Sequence, residues 1–154
     1  MEDIIWEVKA FYELSVEEFF EIIYLRTAVF VVEQNCAYQE VDVKDKQAFH
    51  LFGRTESGEV IAITRVLPKG ISYDDISIGR VVLKKEFRGK GIADVLLQKT
   101  LDFVAQEFGR QSIRISAQTY LINYYQKHSF IPVGEEYLED DLPHIEMLLE
   151  IRDV

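Results

Sequence analysis

The sequence predicts an α/β (α+β) domain: a mixed sheet with helices packed on its faces. Two observations carry that expectation. β-rich and helix-periodic segments alternate in the order β-α-β-β-β-α-β-α-β-β. In addition, 154 residues with 48% hydrophobic and 29% charged side chains suffice for one sizeable core. No internal repeat, low-complexity run or linker interrupts that order, so residues 1–154 read as a single domain.

Residues 3–11 alternate as a first strand. Ser15 and Glu18 then stand in S-x-x-E spacing, a capping box, and Phe19, Ile22, Ile23, Arg26 and Phe30 follow at helical intervals; a helix is expected over about 16–32. Residues 35–49 are polar, acidic and irregular and read as a long loop. Two β-rich runs flank Glu56-Ser57-Gly58-Glu59, a hairpin signal. A second turn over 69–77 leads to the strand "IGRVVL". The clearest helix follows, with Ile92, Val95, Leu96, Leu101, Val104 and Phe108 expected inward and Gly109 as its stop. A strand at 112–118, a short helix at 120–128 and strands at 130–138 and 144–152, joined by a turn at Asp140 and Asp141, complete the pattern.

Seventeen Lys and Arg against 27 Asp and Glu give a formal charge of -10, a surface that repels nucleic acid and anionic membrane and favours a cationic acceptor such as an amine. The single cysteine, Cys36, has no internal disulfide partner and reads as a buried thiol. The first residues lack the basic and apolar regions of a signal peptide, and no apolar run approaches a membrane span. The expected compartment is the cytoplasm.

One stretch concentrates chemical information. In "GRVVLKKEFRGKGIADVLL" a strand runs into Arg88-Gly89-Lys90-Gly91 and then directly into the long helix. This is either a tight solvated turn or a nest of backbone N–H groups for phosphate, because free N–H groups and the helix dipole favour negative charge there and glycine lets a phosphate approach closely. The stretch fails as a P-loop, lacking Gly-Lys-Ser/Thr, and as a dinucleotide fingerprint, since Asp94 stands where the third glycine belongs.

Arg88-Gly89-Lys90-Gly91-Ile92-Ala93 resembles the Gln/Arg-x-x-Gly-x-Gly/Ala signature of the GNAT superfamily of acyl-CoA-dependent N-acetyltransferases, and the element order matches nearly end to end. The resemblance implies a mostly antiparallel sheet splayed at its fourth strand. It also implies acetyl-CoA as co-substrate, with loop amides of residues 88–93 on its pyrophosphate and the strand Val81-Val82-Leu83 along its pantetheine arm. The family's Tyr-x-x-x-Gly-Phe is met by Tyr125-Gln126-Lys127-His128-Ser129-Phe130, with Ser129 replacing the glycine. Gln118 occupies the position of a cofactor-contacting Asn, and Asn123 is the alternative for that contact. "RTAVFVVEQNCAYQEVD", His50-Leu51 and "DDLPHIEM" are similar to the ElaA-type branch. The front half also resembles acyl-homoserine-lactone synthases through Arg26 and Phe30, Asp42 and Asp45, and Arg65 before Leu-Pro, but Cys36 stands where those enzymes carry Trp.

Acetyl transfer from a thioester requires a deprotonated amine, an N–H for the oxyanion and a proton donor for the thiolate. Leu83 offers the N–H, and Tyr125 resembles the family's general acid; Tyr124 is adjacent, and only one of the two can face the cleft. Glu33, at the head of the acidic loop, is a candidate base or the partner of an arginine. His50, at the start of a strand, and His144, after a proline between the last strands, are candidate acceptor-site residues with Arg26 and Arg65. Glu40, Asp42 and Asp45 read as solvated loop charge. Cys36, His50, His128 and His144 show no metal-ligand spacing, so no metal is expected. The expected function is acetyl transfer to a primary amine of a small molecule or peptide by direct attack in a ternary complex, in a monomer or homodimer with no nucleic-acid or membrane partner. The alternative class is an acyl-CoA-binding module without turnover.

Overall fold

In the computed structural model, which describes residues 3–150, the elements follow the predicted order. They are β1 (Ile5–Ala10), α1 (Val16–Thr27), β2 (Phe49–Arg54), β3 (Val60–Leu67), β4 (Ile76–Leu83), α2 (Ile92–Phe108), β5 (Ile113–Gln118), α3 (Ile122–Gln126), β6 (Ile131–Glu139) and β7 (Leu142–Leu149). Ile151 and Arg152, the expected end of the last strand, lie outside the described residues. The strands form one sheet in the order β1-β2-β3-β4-β5-β7-β6, antiparallel except for β4 with β5.

The capping box at the start of α1 is made: the Glu18 N–H donates to the Ser15 hydroxyl at 3.0 Å, and the Ser15 N–H donates to the Glu18 carboxylate at 2.8 Å. The helix does not run regularly to Val32 as expected. From Ala28 to Glu33 it widens into a π-helical turn, where the Gln34 N–H reaches back five residues to the Val29 carbonyl at 3.1 Å. The expected long loop contains a short 3₁₀ turn over Val43–Gln47, capped by Asp42.

Helix α1 buries Ile22, Leu25 and Val29 against Phe52, Val60, Ile63 and Val82 on one face of the sheet. On the other face α2 buries Leu96 against Leu51, Ile61 and Ala62, and Leu97 and Val104 against Val66, Ile78 and Ile115. Val95, expected inward, is exposed, whereas Leu97, not among the residues expected inward, is buried beside Leu96. Strand β3 is covered on both faces, so its two polar side chains need partners. Thr64 finds Thr100 of α2 at 2.9 Å, and Arg65 finds carboxylates of the 35–48 loop.

Strands β4 and β5 pair only at Ile76–Ile113 and Ser77–Arg114 and then part. The parting coincides with a bulge in β4: Arg65 faces Gly79 and Ile63 faces Val82, so Arg80 and Val81 oppose Thr64 alone, with Arg80 at φ 50°. At the far edge Asp140 and Asp141 take φ values of 50° and 61°, the type I′ geometry of a two-residue hairpin, at the turn predicted from the sequence.

Candidate active site

The parted strands open a cavity of about 830 Å³, walled by β4, the start of α2, α3, the π-helical end of α1, the 35–48 loop and the β6–β7 turn. Gly89 and Gly91 at its rim have φ values of 79° and 80°, and a Cβ at either would meet no atom within 4 Å, so glycine serves the backbone conformation rather than packing inside the chain. Among the described residues, no acceptor is found for the N–H groups of Gly89 to Asp94, and the N-cap of α2 has no side-chain bond. The Ile92 side chain is buried, so only its N–H faces this nest, and Lys90 lies over the Phe87 ring at 5.5 Å. Asp94 is turned away: its carboxylate accepts from Lys127 at 3.2 Å and pairs with His128 at 3.0 Å. The nest keeps its donors and loses the anion that would oppose phosphate.

In β4 the Lys84 N–H donates to the Ile61 carbonyl, so Leu83, one residue earlier in an antiparallel ladder, turns its N–H and C=O away from β3. Its carbonyl accepts from Arg88 Nε at 3.0 Å, and beyond Ser77 no strand pairs that edge. Val81 and Leu83 line the cavity with Val82. The Arg88 guanidinium is bidentate on Glu33, at 2.7 and 3.1 Å, which ties the end of α1 to the glycine loop. The hydrogen bond and charge of Arg88 hold the Glu33 carboxyl below its ordinary value despite partial burial.

The two adjacent tyrosines divide their tasks. Tyr124 donates its hydroxyl to the Ala93 carbonyl at 2.6 Å. Tyr125 is 5% exposed, lines the cavity and has no hydroxyl partner among the described residues. Burial, with Tyr120 nearby, pushes its phenol well above the usual tyrosine range and keeps it protonated. Gln118 also lines the cavity and exchanges amide hydrogen bonds with Gln34 across it, at 3.3 and 3.4 Å. Asn123 sits on the exposed side of α3 and does not line the cavity.

The four residues expected at an acceptor site separate into two pairs. Arg65 and His144 line the cavity, whereas Arg26 and His50 are buried behind its wall. Glu40 and Asp45, expected as solvated charge, are buried with them because arginines neutralise both. Arg26 bonds Glu40 at 2.7 Å and Asp45 at 2.8 and 3.2 Å. Arg65 bonds Asp42 at 2.8 Å and Asp45 at 3.1 Å, and Arg80 pairs with Glu40 and Asp42. His50 Nε2–H donates to the Asp45 carbonyl at 2.9 Å, which fixes its tautomer, and burial holds the ring below its ordinary pKa. His144 Nδ1–H donates to the Leu142 carbonyl at 2.7 Å, and its Nε2 stands 3.4 Å from a Glu139 carboxylate oxygen. Cys36 is half-buried on the cavity wall, its thiol donating to the Asp140 carbonyl at 3.4 Å. Sequence reasoning missed Arg80, Lys44, Tyr38 and Gln34 on these walls. Arg80 was the findable one, as the sole charge in "IGRVVL".

Comparison with known proteins gives a consistent result. Residues 12–151 match the family described as an acetyltransferase (GNAT) domain. Protein ElaA of Escherichia coli (strain K12) is 37% identical over 148 residues, covering 95% of this chain and 96% of that protein. The crystal structure of E. coli ElaA matches with a TM-score of 0.90, covering 96% of this chain and all 100% of its own. An acyl-CoA N-acyltransferase from Pseudomonas aeruginosa matches with a TM-score of 0.91 at 36% identity, covering 96% of this chain and 100% of that one. A CoA-dependent acyl-homoserine lactone synthase, BjaI, shares the fold alone: TM-score 0.79 at 15% identity, over 97% of this chain and 84% of that one.

Proposed function

The chain belongs to the GNAT acetyltransferase family, whose fold works on an acyl-CoA and an acceptor, and from that premise we propose that it transfers acetyl from acetyl-CoA to a primary amine of a small molecule or peptide by direct attack in a ternary complex. One observation carries this reading. A protonated phenol with no partner among the described residues, that of Tyr125, lines the same cavity that reaches Gly89 and Ala93, the two ends of a run of N–H groups with no acceptor among those residues.

Bound acetyl-CoA supplies a thioester carbonyl and a thiolate leaving group; the chain supplies everything else. The N–H groups of residues 89–93, with Arg88 beside them, hold the pyrophosphate. The free edge of Val81, Val82 and Leu83 binds the pantetheine arm, and the Leu83 N–H stabilises the oxyanion. Gln118 orients the arm near the reacting carbonyl; Asn123, the alternative for that contact, stands on the exposed side of α3 outside the cavity. Tyr125 protonates the departing sulfur.

The amine proton goes to the Nε2 lone pair of His144, directly or through one water, and the imidazolium is stabilised by Glu139, whose side chain is half-exposed and returns the proton to solvent. Glu33 enters as a positioning residue, because a carboxylate already bonded to Arg88 is a weak base. Arg65 meets the acceptor, while Arg26 and His50 act on it only through the wall they hold. This reading treats residues 1–154 as one catalytic domain, monomeric or dimeric, acting in the cytoplasm without nucleic acid or membrane.

Calorimetric titration with acetyl-CoA and CoA, followed by thiol release against polyamines, amino sugars, amino acids and peptides, tests the proposal. Micromolar binding with thiol release on an amine is expected. Binding without release on any amine favours the non-catalytic module, and no binding removes the acyl-CoA assignment.

A further inference from the structure

We infer that Tyr137, which does not itself line the cavity, is a positioning residue whose ring holds the His144 imidazole in line with the acceptor amine. The inference rests on the acyl-transfer reading with His144 as the group that takes the amine proton, and it names what aligns that group.

The strand that carries Tyr137 changes register just before it. Ile131, Pro132 and Val133 pair in step with Leu148, Met147 and Glu146, and Tyr137, Leu138 and Glu139 pair in step with His144, Pro143 and Leu142. Between the two segments Gly134, Glu135 and Glu136 oppose Ile145 alone, with Gly134 at φ 83°. In the register of the first segment Glu135 would stand across from His144; the two extra residues put Tyr137 there instead. Bulges beside active sites commonly re-aim a side chain in this way. Only Val133 and Tyr137 on β6 are not exposed, so the bulge places one of the strand's two covered side chains against the histidine.

The His144 ring is 6% exposed and is held on three sides. Its face stacks on the Tyr137 ring, with centroids 6.1 Å apart and planes 26° from parallel. One edge meets the Leu142 carbonyl through Nδ1 at 2.7 Å, and the other meets Glu139 through Nε2 at 3.4 Å. The Tyr137 hydroxyl is itself anchored, to Ser116 of β5 and to the Tyr73 phenol in the turn before β4. Ser116 also donates to Glu139 at 3.2 Å. One serine thus ties both the ring that covers the imidazole face and the carboxylate at its edge. The circuit Tyr137–Ser116–Glu139–His144 closes on itself.

An imidazole accepts a proton only along its Nε2 lone pair, in the plane of the ring. Contacts at the two edges leave the ring free to tip about the line that joins them; a stacked aromatic face removes that freedom. Small errors of alignment at a reacting group are costly, since a displacement of about 1 Å can lower a rate about 100-fold.

The test is thiol release from acetyl-CoA against polyamines, amino sugars, amino acids and peptides. The proteins compared are the wild type, Tyr137→Leu, Tyr137→Phe, His144→Gln and the double variant Tyr137→Leu/His144→Gln. Tyr137→Leu should lower acceptor kcat/KM by about 10-fold, and Tyr137→Phe, which keeps the ring, should stay within about 2-fold of wild type, with KM for acetyl-CoA unchanged in both. The double variant should be within about 2-fold of His144→Gln, because a residue that acts through the histidine has nothing left to align. Should Tyr137→Leu fail to fold, Tyr137→Met takes its place with the same expected loss. A Tyr137→Leu enzyme as fast as wild type overturns the inference, as does a Tyr137→Phe enzyme as slow as Tyr137→Leu. Losses that multiply in the double variant also overturn it, since they mark a merely structural role. A wild-type rate in His144→Gln removes the base and this inference while acyl transfer stands. Thiol release with no amine removes the acyl-transfer reading itself.

Discussion

Tyr124 and Tyr125 have the same side chain, and burial and partners give them different chemistry. Tyr124 spends its hydroxyl on Ala93; Tyr125 keeps a protonated hydroxyl on the cavity wall. Tyr125→Phe should therefore lower kcat about 100-fold while KM for acetyl-CoA stays within about 2-fold, a split measured by steady-state kinetics. Because burial raises the phenol, the wild-type rate should hold as pH passes the ordinary tyrosine value of 10.0. The acid limb of kcat/KM separates the two base candidates. Glu33 is held below its ordinary value by Arg88 and stays ionised throughout the working range, so Glu33→Gln should leave that limb in place in a pH–rate profile, whereas His144→Gln should lower kcat/KM by about 100-fold if its Nε2 takes the amine proton. Both members of the Glu33–Arg88 pair stood among the sequence's candidates, and an arginine partner for Glu33 was one of its two readings; which arginine was not legible, because the pair joins positions 55 apart. Lys44 was illegible for a related reason: a lysine in an acidic loop gains meaning only when the fold brings it to the cavity wall, whereas Arg80 could have been found as the sole charge in an apolar strand.

At the scale of elements, local signals survived folding and irregularities did not announce themselves. Ser15 with Glu18 and the Asp140-Asp141 turn are fixed by side-chain chemistry within four residues, and each appears where the sequence puts it. The π-helical turn after Thr27 and the bulge at Arg80 follow from tertiary competition. The first presents Phe30, Glu33 and Gln34 to the cavity, and the second parts β4 from β5. Neither leaves a residue pattern that periodicity detects. Ser129 is intermediate. It stands at the glycine position of the Tyr-x-x-x-Gly-Phe signature and takes φ 73°, which a Cβ disfavours by roughly 1–2 kcal/mol. Ser129→Gly should recover about 1 kcal/mol of that, less glycine's greater entropy when unfolded, and raise Tm by about 2–4 °C in a thermal melt. An unchanged or lowered Tm would show that the turn carries no strain.

For the whole molecule, the consequential device is the ion network that fastens the 35–48 loop to α1 and β3, because that loop is a wall of the cavity. Burial alone would raise the Asp45 carboxyl; the hydrogen bonds and charge of Arg26, the Asp42 N–H and Arg65 outweigh it and hold the group at about 2, against 3.8 when unfolded. A depressed carboxyl contributes its stability in full above the unfolded value and loses it as pH falls toward the folded one. The contribution is about 2 kcal/mol at neutral pH and disappears between about pH 4 and pH 2. His50 acts earlier. Burial lowers its pKa from 6.5, so the neutral ring stabilises the fold above that value and does so progressively less below it. Acid unfolding should therefore begin below pH 6.5 and steepen below pH 4, as read from urea midpoints across pH. Asp45→Asn should cost about 3 kcal/mol at pH 7, because it leaves the buried Arg26 with Glu40 as its one carboxylate and the network with an excess positive charge, and should flatten the step below pH 4 while leaving the His50 step. On the proposed reading acetyl-CoA would bind mainly at the glycine loop and the β4 edge, so its affinity should survive Asp45→Asn wherever the protein remains folded, while acceptor kcat/KM falls with the loss of the wall. Equal losses at both sites would mean that the network supports the whole cleft rather than its acceptor side.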